Sequence, residues 1–234
     1  MKHDHHRTTE EDGVSKPWRD MQEGDGWRMY LGDCREVLPT IGRFDAVVTD
    51  PPYGIGEARS NNHTRSVLAR SRDYGESAWD DKPCDAKIID DIRAISNWQI
   101  IFGGNYFTLP PSRCWLVWDK MNGENDFADC ELAWTNLDKA VRRIRFMWHG
   151  MLRDEPGERY HPTQKPVGVM RWCLGHLPLG TKTILDPMCG VGTTGVACIE
   201  TGRMFVGIEI DERYFRVACN RLRSATPCLF GAKT

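Results

Sequence analysis

The segment from Lys182 to Ile210 constrains the fold more than any other part of the chain, because it has the order strand, glycine turn, helix, strand. KTILD is a short apolar run typical of a buried strand, PMCGVG supplies a turn, TTGVACIETG continues as a helix, and MFVGIEI is a second apolar run. Two strands joined through a helix form a βαβ unit and lie parallel in one sheet. The sequence therefore predicts a doubly wound α/β fold with a mostly parallel sheet.

The glycine turn, DPMCGVGTTG, lies where a strand passes into a helix, which is where α/β sheets bind ligands. Its glycines let the backbone pass close to a ligand, and the helix N-terminus with Thr193 and Thr194 offers N–H and hydroxyl donors to an anion. Glu209 ends the next strand, where an acid suits the two hydroxyls of a ribose. The turn lacks the lysine of a phosphate loop, which favours a nucleoside carrying a carboxylate-bearing chain. The glycines alone leave open a tight turn without a ligand.

A second feature is the segment TDPPYGIG, which follows the apolar run FDAVV at residues 44–48. Pro51 and Pro52 cannot donate to a sheet ladder, so a buried strand must end there. The result is a stiff, extended stretch, here called the proline lip (Asp50 to Tyr53), which carries a carboxylate, backbone carbonyls and a phenol ring. Taken alone, the proline lip is also explained by an ordinary turn at the end of a strand.

Composition is that of a soluble globular protein of 234 residues, with 27% charged and 40% hydrophobic residues. No apolar run has the length of a membrane span or the form of a signal-peptide core. We expect residues 1–18 to be a disordered tail, 19–226 a single domain with a mobile loop at 54–85, and 227–234 a C-terminal tail.

The nine scattered cysteines without a C-x-x-C pair indicate free thiols in the cytoplasm, and HDHH near the N-terminus is interpreted as a polar end.

Positive charge is concentrated in two stretches that contain no acid, although the net charge of the chain is −2. These are RSNNHTRSVLARSR, residues 59–72, and KAVRRIR, residues 139–145. A solvated surface is one interpretation, and contact with nucleic-acid phosphates is the other. The candidate phosphate contacts are Arg59, Arg65, Arg70, Arg72, Arg142, Arg143 and Arg145.

Together, the proline lip and the glycine turn resemble the motifs of the amino-group DNA methyltransferases that use S-adenosylmethionine. The lip comes first and the glycine turn last, which is similar to the permuted order of the β class of these enzymes. HPTQKPV at 161–167 resembles the segment before the helix that closes over the methionine end of the cofactor. FADCELAWT at 127–135 resembles the segment beside the target-base pocket, and LGD at 31–33 the strand end whose acid meets the adenine. The resemblance spans about residues 27–223.

This resemblance implies a site-specific enzyme that transfers a methyl group from S-adenosylmethionine to the exocyclic amino group of a flipped-out base in double-stranded DNA. Asp50, where other members have Ser, favours adenine N6, and cytosine N4 is the alternative. A catalytically silent DNA- or cofactor-binding module and a methyltransferase acting on RNA or protein amines also stay open. The sequence does not decide whether the protein forms a homodimer, or whether it has a cognate restriction enzyme or none.

The resemblance also implies roles for individual residues. The carboxylate of Asp50 and the carbonyl of Pro51 would accept the hydrogens of the amine and stabilise the positive charge that develops on it, Pro52 would hold the lip stiff, and Tyr53 would stack on the base. The implied cofactor-binding residues are Asp33, Asp50, Gln164, Lys165, Asp186, Cys189, Gly190, Gly192, Thr193, Thr194 and Glu209. No metal is implied, and the target-recognition region would be a short one around residues 121–163.

Overall fold

The structure, a computed structural model, describes residues 16–54, 83–122, 128–149, 152–155, 160 and 164–227. Residues 1–15, residues 55–82 of the predicted mobile loop and residues 228–234 lie outside the described residues. One boundary differs from the prediction. Trp18, assigned to the tail, packs edge-on against Tyr30 with ring centroids 4.9 Å apart, because an aromatic ring next to the sheet gains free energy by leaving water.

The described part of the chain contains eleven strands and five α-helices. The strands are β1 (Asp20–Gly24), β2 (Trp27–Leu31), β3 (Phe44–Thr49), β4 (Ser96–Phe102), β5 (Trp115–Asp119), β6 (Cys130–Thr135), β7 (Arg142–Arg145), β8 (Trp148–His149), β9 (Leu152–Arg153), β10 (Thr183–Asp186) and β11 (Met204–Glu209). The helices are α1 (Cys34–Val37), α2 (Ala86–Ala94), α3 (Val167–His176), α4 (Thr193–Glu200) and α5 (Glu212–Ser224). A short 3₁₀ turn, Gly104–Tyr106, follows β4.

Nine of these strands form one sheet in the order β1-β2-β11-β10-β3-β4-β6-β5-β7. The central strands from β2 to β4 are all parallel, β6 is antiparallel to both β4 and β5, and β7 runs parallel to β5. The chain leaves β10 towards β11 and leaves β3 towards β4, in opposite directions along the sheet. The crevice between the ends of β10 and β3 is therefore the topological switch point, where open α/β sheets bind their ligands.

Helices cover both faces of the sheet, so the fold has three layers. On one face, Ala46 and Val48 of β3 belong to the core that includes Met170 of α3 and Phe215 of α5. On the other face, Val47 packs with residues of α1 and α2. This alternation along one strand is what a central parallel strand requires, since both of its faces are buried. The predicted doubly wound α/β fold is confirmed.

The strand predicted at residues 44–48 occurs as β3, and the predicted βαβ unit occurs with nearly the predicted bounds as β10, α4 and β11. The amphipathic helix α5 begins after Asp211, whose carboxylate accepts hydrogen bonds from the N–H groups of Arg213 and Tyr214. Strands β1, β6 and β9 were not predicted. The sequence of β1, DMQEG, is almost wholly exposed and has no apolar alternation, so its place at the sheet edge comes from pairing with β2.

Candidate active site

The proline lip leaves the end of β3 at the switch point, and its carboxylate is held from two sides. The hydroxyl of Tyr53 donates a hydrogen bond to Oδ1 of Asp50. The ammonium of Lys165, which precedes α3, lies 2.5 Å from Oδ2 of Asp50. Lys165 is only 7% exposed, whereas the Asp50 side chain keeps 23% of its surface accessible. The Asp50 carboxylate is therefore oriented by protein groups and still accessible from the open side of the crevice.

Aromatic side chains support the ring of Tyr53. It stacks on Tyr106, with centroids 4.9 Å apart and planes at 14°, and meets Phe107 edge-on. The ring also lies against Gly103, where a Cβ atom would come 2.1 Å from Tyr53 Cε1. Gly103 has a positive φ of 65°, a conformation that glycine adopts without steric cost. Neither Gly103 nor Tyr106 was predicted as a site residue, although the GG pair after an apolar strand is a signal of close backbone approach.

Lys165 is the buried member of a group of four alternating charges whose other members are partly exposed. Its ammonium lies 2.9 Å from Oε2 of Glu131, and the ammonium of Lys120 lies 2.7 Å from Oε1 of the same residue. Burial raises the pKa of Asp50, although Lys165 opposes this effect. Burial alone would also raise the pKa of Glu131, but the charges of Lys165 and Lys120 outweigh it and lower that pKa. Lys165 keeps a raised pKa despite its burial because of the two carboxylates, so it is a permanent cation beside the lip.

Gly190 and Gly192 of the glycine turn have different neighbours. Gly190 has φ 52°, and a Cβ atom there would meet no other atom within 4 Å, so this side of the turn faces open space. Gly192 has φ 73° and precedes α4, but its Cβ position is 3.0 Å from the Cβ of Ala218. Close approach at Gly192 is therefore to helix α5, and close approach of a ligand can occur at Gly190.

Asp186 joins the glycine turn to the lip. Its Oδ1 accepts a hydrogen bond from the hydroxyl of Thr49 at 2.8 Å, and its Oδ2 accepts one from the hydroxyl of Thr194 at 2.6 Å. Burial raises the pKa of Asp186 to about 6. The Thr194 hydroxyl, which was predicted to donate to a ligand anion, thus donates to Asp186 instead. Thr193 Oγ1 accepts a hydrogen bond from Arg221 at 3.1 Å, and donation by its own hydroxyl to an anion stays a prediction. The backbone N–H groups of the first turn of α4 remain the donors that a helix N-terminus offers.

Glu209 ends β11 beside the glycine turn and is 8% exposed. Its Oε1 accepts a hydrogen bond from the N–H of Asp211 at 2.8 Å. Burial raises its pKa to about 7, and the backbone N–H groups of Asp211, Gly190 and Ile210 oppose that shift. An acid that is held next to Gly190 at the end of a strand fits the ribose-binding role that was predicted for it.

Asp33 follows β2, the strand that pairs with β11. The N–H of Gly32 donates to the carbonyl of Glu209 at 2.9 Å, which brings the two strand ends together. The carboxylate of Asp33 accepts from the N–H of Arg35 at 2.9 Å as the N-cap of α1, and it also pairs with the Arg35 guanidinium. This guanidinium, through its hydrogen bonds, lowers the pKa of Asp33. A contact of Asp33 with an adenine stays a prediction.

The other predicted site residues are built into the walls of the crevice. Oε1 of Gln164 accepts from the N–H of Tyr160 at 2.8 Å. Cys189 is buried with its sulfur 3.8 Å from that of Met29. Pro51 is buried, and the carbonyl of Pro52 accepts from the N–H of Cys84 at 2.9 Å, which fixes the far end of the proline lip.

The predicted phosphate contacts fall into two groups. Arg59, Arg65, Arg70 and Arg72 lie outside the described residues. Arg142, Arg143 and Arg145 lie on the edge strand β7 and are exposed. Arg145 Nε is 3.4 Å from Oδ2 of Asp119, at the end of β5. Strands β5 and β7 run in the same direction as β3, so Arg145 lies at the same end of the strands as the proline lip.

Comparison with known proteins identifies the family. A model of the DNA methylase family named for N6 and N4 methyltransferases matches residues 105–220. The chain is also 37% identical, over an alignment 252 positions long, to the type II methyltransferase M.HinfI of Haemophilus influenzae, and the match covers 84% of this chain and 68% of that protein. The chain belongs to the N6/N4 DNA methylase family. A shorter match, 39% identical over 66 residues, is to the putative methylase YubD of Escherichia coli K12 and covers 28% of this chain and 29% of that protein.

Solved structures share the fold of this DNA methylase. The crystal structure of an M1.HpyAVI–SAM complex is 21% identical with a TM-score of 0.55, and the match covers 84% of this chain and all of that one. The PvuII DNA methyltransferase, titled as cytosine-N4-specific, is 13% identical with a TM-score of 0.53, and the match covers 84% and 86% of the two chains. The predictions of a DNA methyltransferase and of S-adenosylmethionine as methyl donor are confirmed at the level of the family.

Among the described helices, none has the length and apolar character of a membrane span, and α5 has 13 residues.

Proposed function

We propose that this DNA methyltransferase acts site-specifically on double-stranded DNA and methylates the exocyclic amino group of a flipped-out base, with adenine N6 as the acceptor. The observation that carries the proposal is the Asp50 carboxylate, which is oriented by Tyr53 and Lys165 and is 23% accessible at the switch point. A base within a duplex cannot bring its amino group into such a crevice, so it must leave the stack.

The side chains of the crevice suit both reactants. Gly190, with open space on its Cβ side, and the buried acid Glu209 support binding of the nucleoside part of S-adenosylmethionine, with Asp33 and Gln164 as further contacts. When bound, this cofactor supplies an electrophilic methyl group. Asp50 and the Pro51 carbonyl would accept hydrogen bonds from the amine, whose lone pair is delocalised into the base, and would stabilise the positive charge that grows on the nitrogen.

The preference for adenine rests on the lip itself. Asp50 stands at the first lip position, where the resemblance associates Asp with adenine N6 and Ser with cytosine N4. A carboxylate is also a stronger hydrogen-bond acceptor than a hydroxyl group, because it carries a negative charge. Cytosine N4 is the alternative product.

The test is product analysis by mass spectrometry after expression in a host that lacks DNA methylation. We expect N6-methyladenine within one sequence context, and no modified base with the Asp50→Ala variant. N4-methylcytosine would overturn the adenine assignment and leave the amino-methyltransferase intact. No product from a folded wild-type protein that still binds the cofactor, with genomic and synthetic duplexes alike, would favour the silent binding module.

A further inference from the structure

We propose that Glu131 is a positioning residue for methyl transfer: it shares the ammonium of Lys165 with Asp50, so that Asp50 keeps the capacity to accept the hydrogens of the target amine. This inference rests on the proposed function, in which Asp50 contacts the amine. Glu131 itself contacts neither of the reactants in this scheme and acts through Lys165.

Strand β6 explains how a distant acid reaches the lip. Because β6 is antiparallel to β4, which runs parallel to β3, the first residues of β6 lie beside the carboxyl end of β3. Glu131 is the second residue of β6, and its side chain is 20% exposed. Its Oε2 is enclosed and, within the described residues, makes no hydrogen bond of regular geometry. The 2.9 Å approach of Lys165 Nζ to this oxygen is therefore an ion pair held by charge.

The charge balance of the group gives Glu131 its effect. Two carboxylates, Asp50 and Glu131, and two ammonium groups, Lys165 and Lys120, together carry no net charge. Lys165 has almost no access to water, so protein groups must compensate its charge. Without Glu131, this compensation would fall on Asp50 alone. A carboxylate that is drawn into a tighter ion pair is a weaker acceptor for a further donor, here the amine of the base.

The groups around Asp50 predict the direction of the pH effect. Four groups from different elements face Asp50. They are the Tyr53 hydroxyl on the lip, Lys165 in the segment before α3, Glu131 on β6 and Asp186 at the end of β10. The charge of Glu131 raises the pKa of Asp50. Its removal therefore lowers that pKa, and the acid limb of the pH profile of kcat moves to lower pH. Removal of the positive charge of Lys120 moves the limb in the opposite direction.

The experiment compares Glu131→Gln with Glu200→Gln. Glu200 is a matched control because its side chain is 21% exposed and pairs with Arg171 at 2.7 Å, at the far end of α4 from the glycine turn. We expect Glu131→Gln to lower kcat by about 10-fold or more, with the KM for DNA changed by less than about 3-fold, since the defect is in the reacting geometry. The control should keep the kcat of the wild type.

A second readout does not depend on turnover. The chemical shift of the Asp50 carboxyl carbon, assigned with Asp50→Asn in a ¹³C-aspartate-labelled protein, reports its titration directly. We expect Asp50 to titrate at lower pH in Glu131→Gln and at higher pH in Lys120→Met. Lys120 is partly exposed, with 23% of its side chain accessible, so Lys120→Met carries the test if Glu131→Gln does not fold.

The outcomes separate this inference from the proposed function. Full activity of Asp50→Ala would remove the proposed site, and with it the basis for a positioning role of Glu131. Loss of activity in Asp50→Ala, combined with wild-type kcat and unchanged Asp50 titration in Glu131→Gln and Lys120→Met, would overturn the role of Glu131 alone. A fall in kcat with no change in the titration would identify Glu131 as a structural residue only, and would also overturn it.

Discussion

The hydroxyl of Tyr53 donates a hydrogen bond to Oδ1 of Asp50, so the aromatic ring and the carboxylate of the proline lip form one unit. The sequence assigned Tyr53 to stacking on the base, a role in which the ring matters more than the hydroxyl. In the structure, the hydroxyl also limits rotation of the carboxylate that is proposed to accept the hydrogens of the amine.

Two variants separate these roles of Tyr53. Tyr53→Ala removes the ring, and since stacking of a base on an aromatic ring contributes about 1–3 kcal/mol, we expect kcat/KM to fall by about 10- to 100-fold. Tyr53→Phe keeps the ring but loses the hydrogen bond to Asp50, and we expect kcat to fall about 3- to 10-fold. Transfer of a radiolabelled methyl group to duplex DNA measures both. If Tyr53→Phe has the kcat of the wild type, the hydroxyl does not orient Asp50.

We predict that the Tyr53 ring can keep its position only with glycine at residue 103. An alanine there would adopt an unfavourable positive φ and would place its Cβ 2.1 Å from Tyr53 Cε1, so Gly103→Ala should displace the ring and lower both stability and kcat. Gly42→Ala is the control, because Gly42 has φ 79° with no other atom within 4 Å of its Cβ position. It should lose about 1 kcal/mol of stability and retain kcat. Thermal unfolding and turnover assays decide, and equal kcat in the two variants would contradict the prediction.

Gly190 and Gly192 of the glycine turn should respond differently to substitution. Gly190→Ala places a methyl group on the open side of the turn and should weaken binding of S-adenosylhomocysteine about 10-fold or more by obstructing close approach. Gly192→Ala brings a Cβ to 3.0 Å from Ala218 and should mainly lower thermal stability through the contact of α4 with α5. Calorimetry of binding and unfolding tests both. A Gly192→Ala variant with unchanged stability and reduced affinity would reverse the two assignments.

The buried acid Glu209 should make stability depend on pH. Its pKa is raised from 4.5 to about 7 in the folded chain, chiefly by burial. The unfolded chain therefore releases this proton at lower pH, and the contribution of Glu209 to stability declines as the pH rises from 4.5 towards 7. Glu209→Gln should be more stable than the wild type at pH 8, by about 1–2 kcal/mol, and should show no such gain at pH 4.5.

The same variant should bind the cofactor less well, because a neutral amide is a weaker acceptor for ribose hydroxyls than a carboxylate. Wild-type affinity for S-adenosylhomocysteine should rise with pH through about 7, and the affinity of Glu209→Gln should change less over this range. Asp186 also titrates near this range, with a pKa of about 6, so the difference between wild type and variant is the relevant quantity. Parallel pH dependences would exclude Glu209 as the group responsible.

The arginines of β7 are predicted to bind DNA phosphates. The double variant Arg143→Ala/Arg145→Ala should weaken binding to all duplexes alike and reduce the slope of log affinity against log salt by about 0.9 for each phosphate that is no longer neutralised. The control is Arg43→Ala/Arg113→Ala, which removes the same charge from exposed positions before β3 and β5. These positions lie at the amino ends of the strands, away from the proline lip. Fluorescence anisotropy at several salt concentrations distinguishes the pairs, and equal slopes would mean that β7 is a solvated edge.

Local sequence determined the elements and the identity of the two central motifs. Apolar runs such as FDAVV and KTILD fold as buried strands because removing their side chains from water is favourable, and prolines or glycines end them where the backbone cannot continue the ladder. These properties depend on near neighbours, so the central strands, the glycine turn and the proline lip could be predicted, whereas the exposed strand β1 could not. The order of the motifs along the chain was likewise sufficient for the resemblance to the DNA methylase family.

The resemblance assigned Asp50 and Lys165 to one site, but only the tertiary structure decided which side chains contact each other there. Lys165 and Asp50 are 115 residues apart in the chain, and Glu131 reaches them because β6 runs antiparallel to β4, which no local pattern encodes. The same holds for Gly192, whose Cβ side lies against Ala218 through the packing of α5, while its contact with the cofactor stays a prediction. Side chains that are distant in sequence meet through strand order and helix packing, and these follow from burial of the whole core rather than from any one segment.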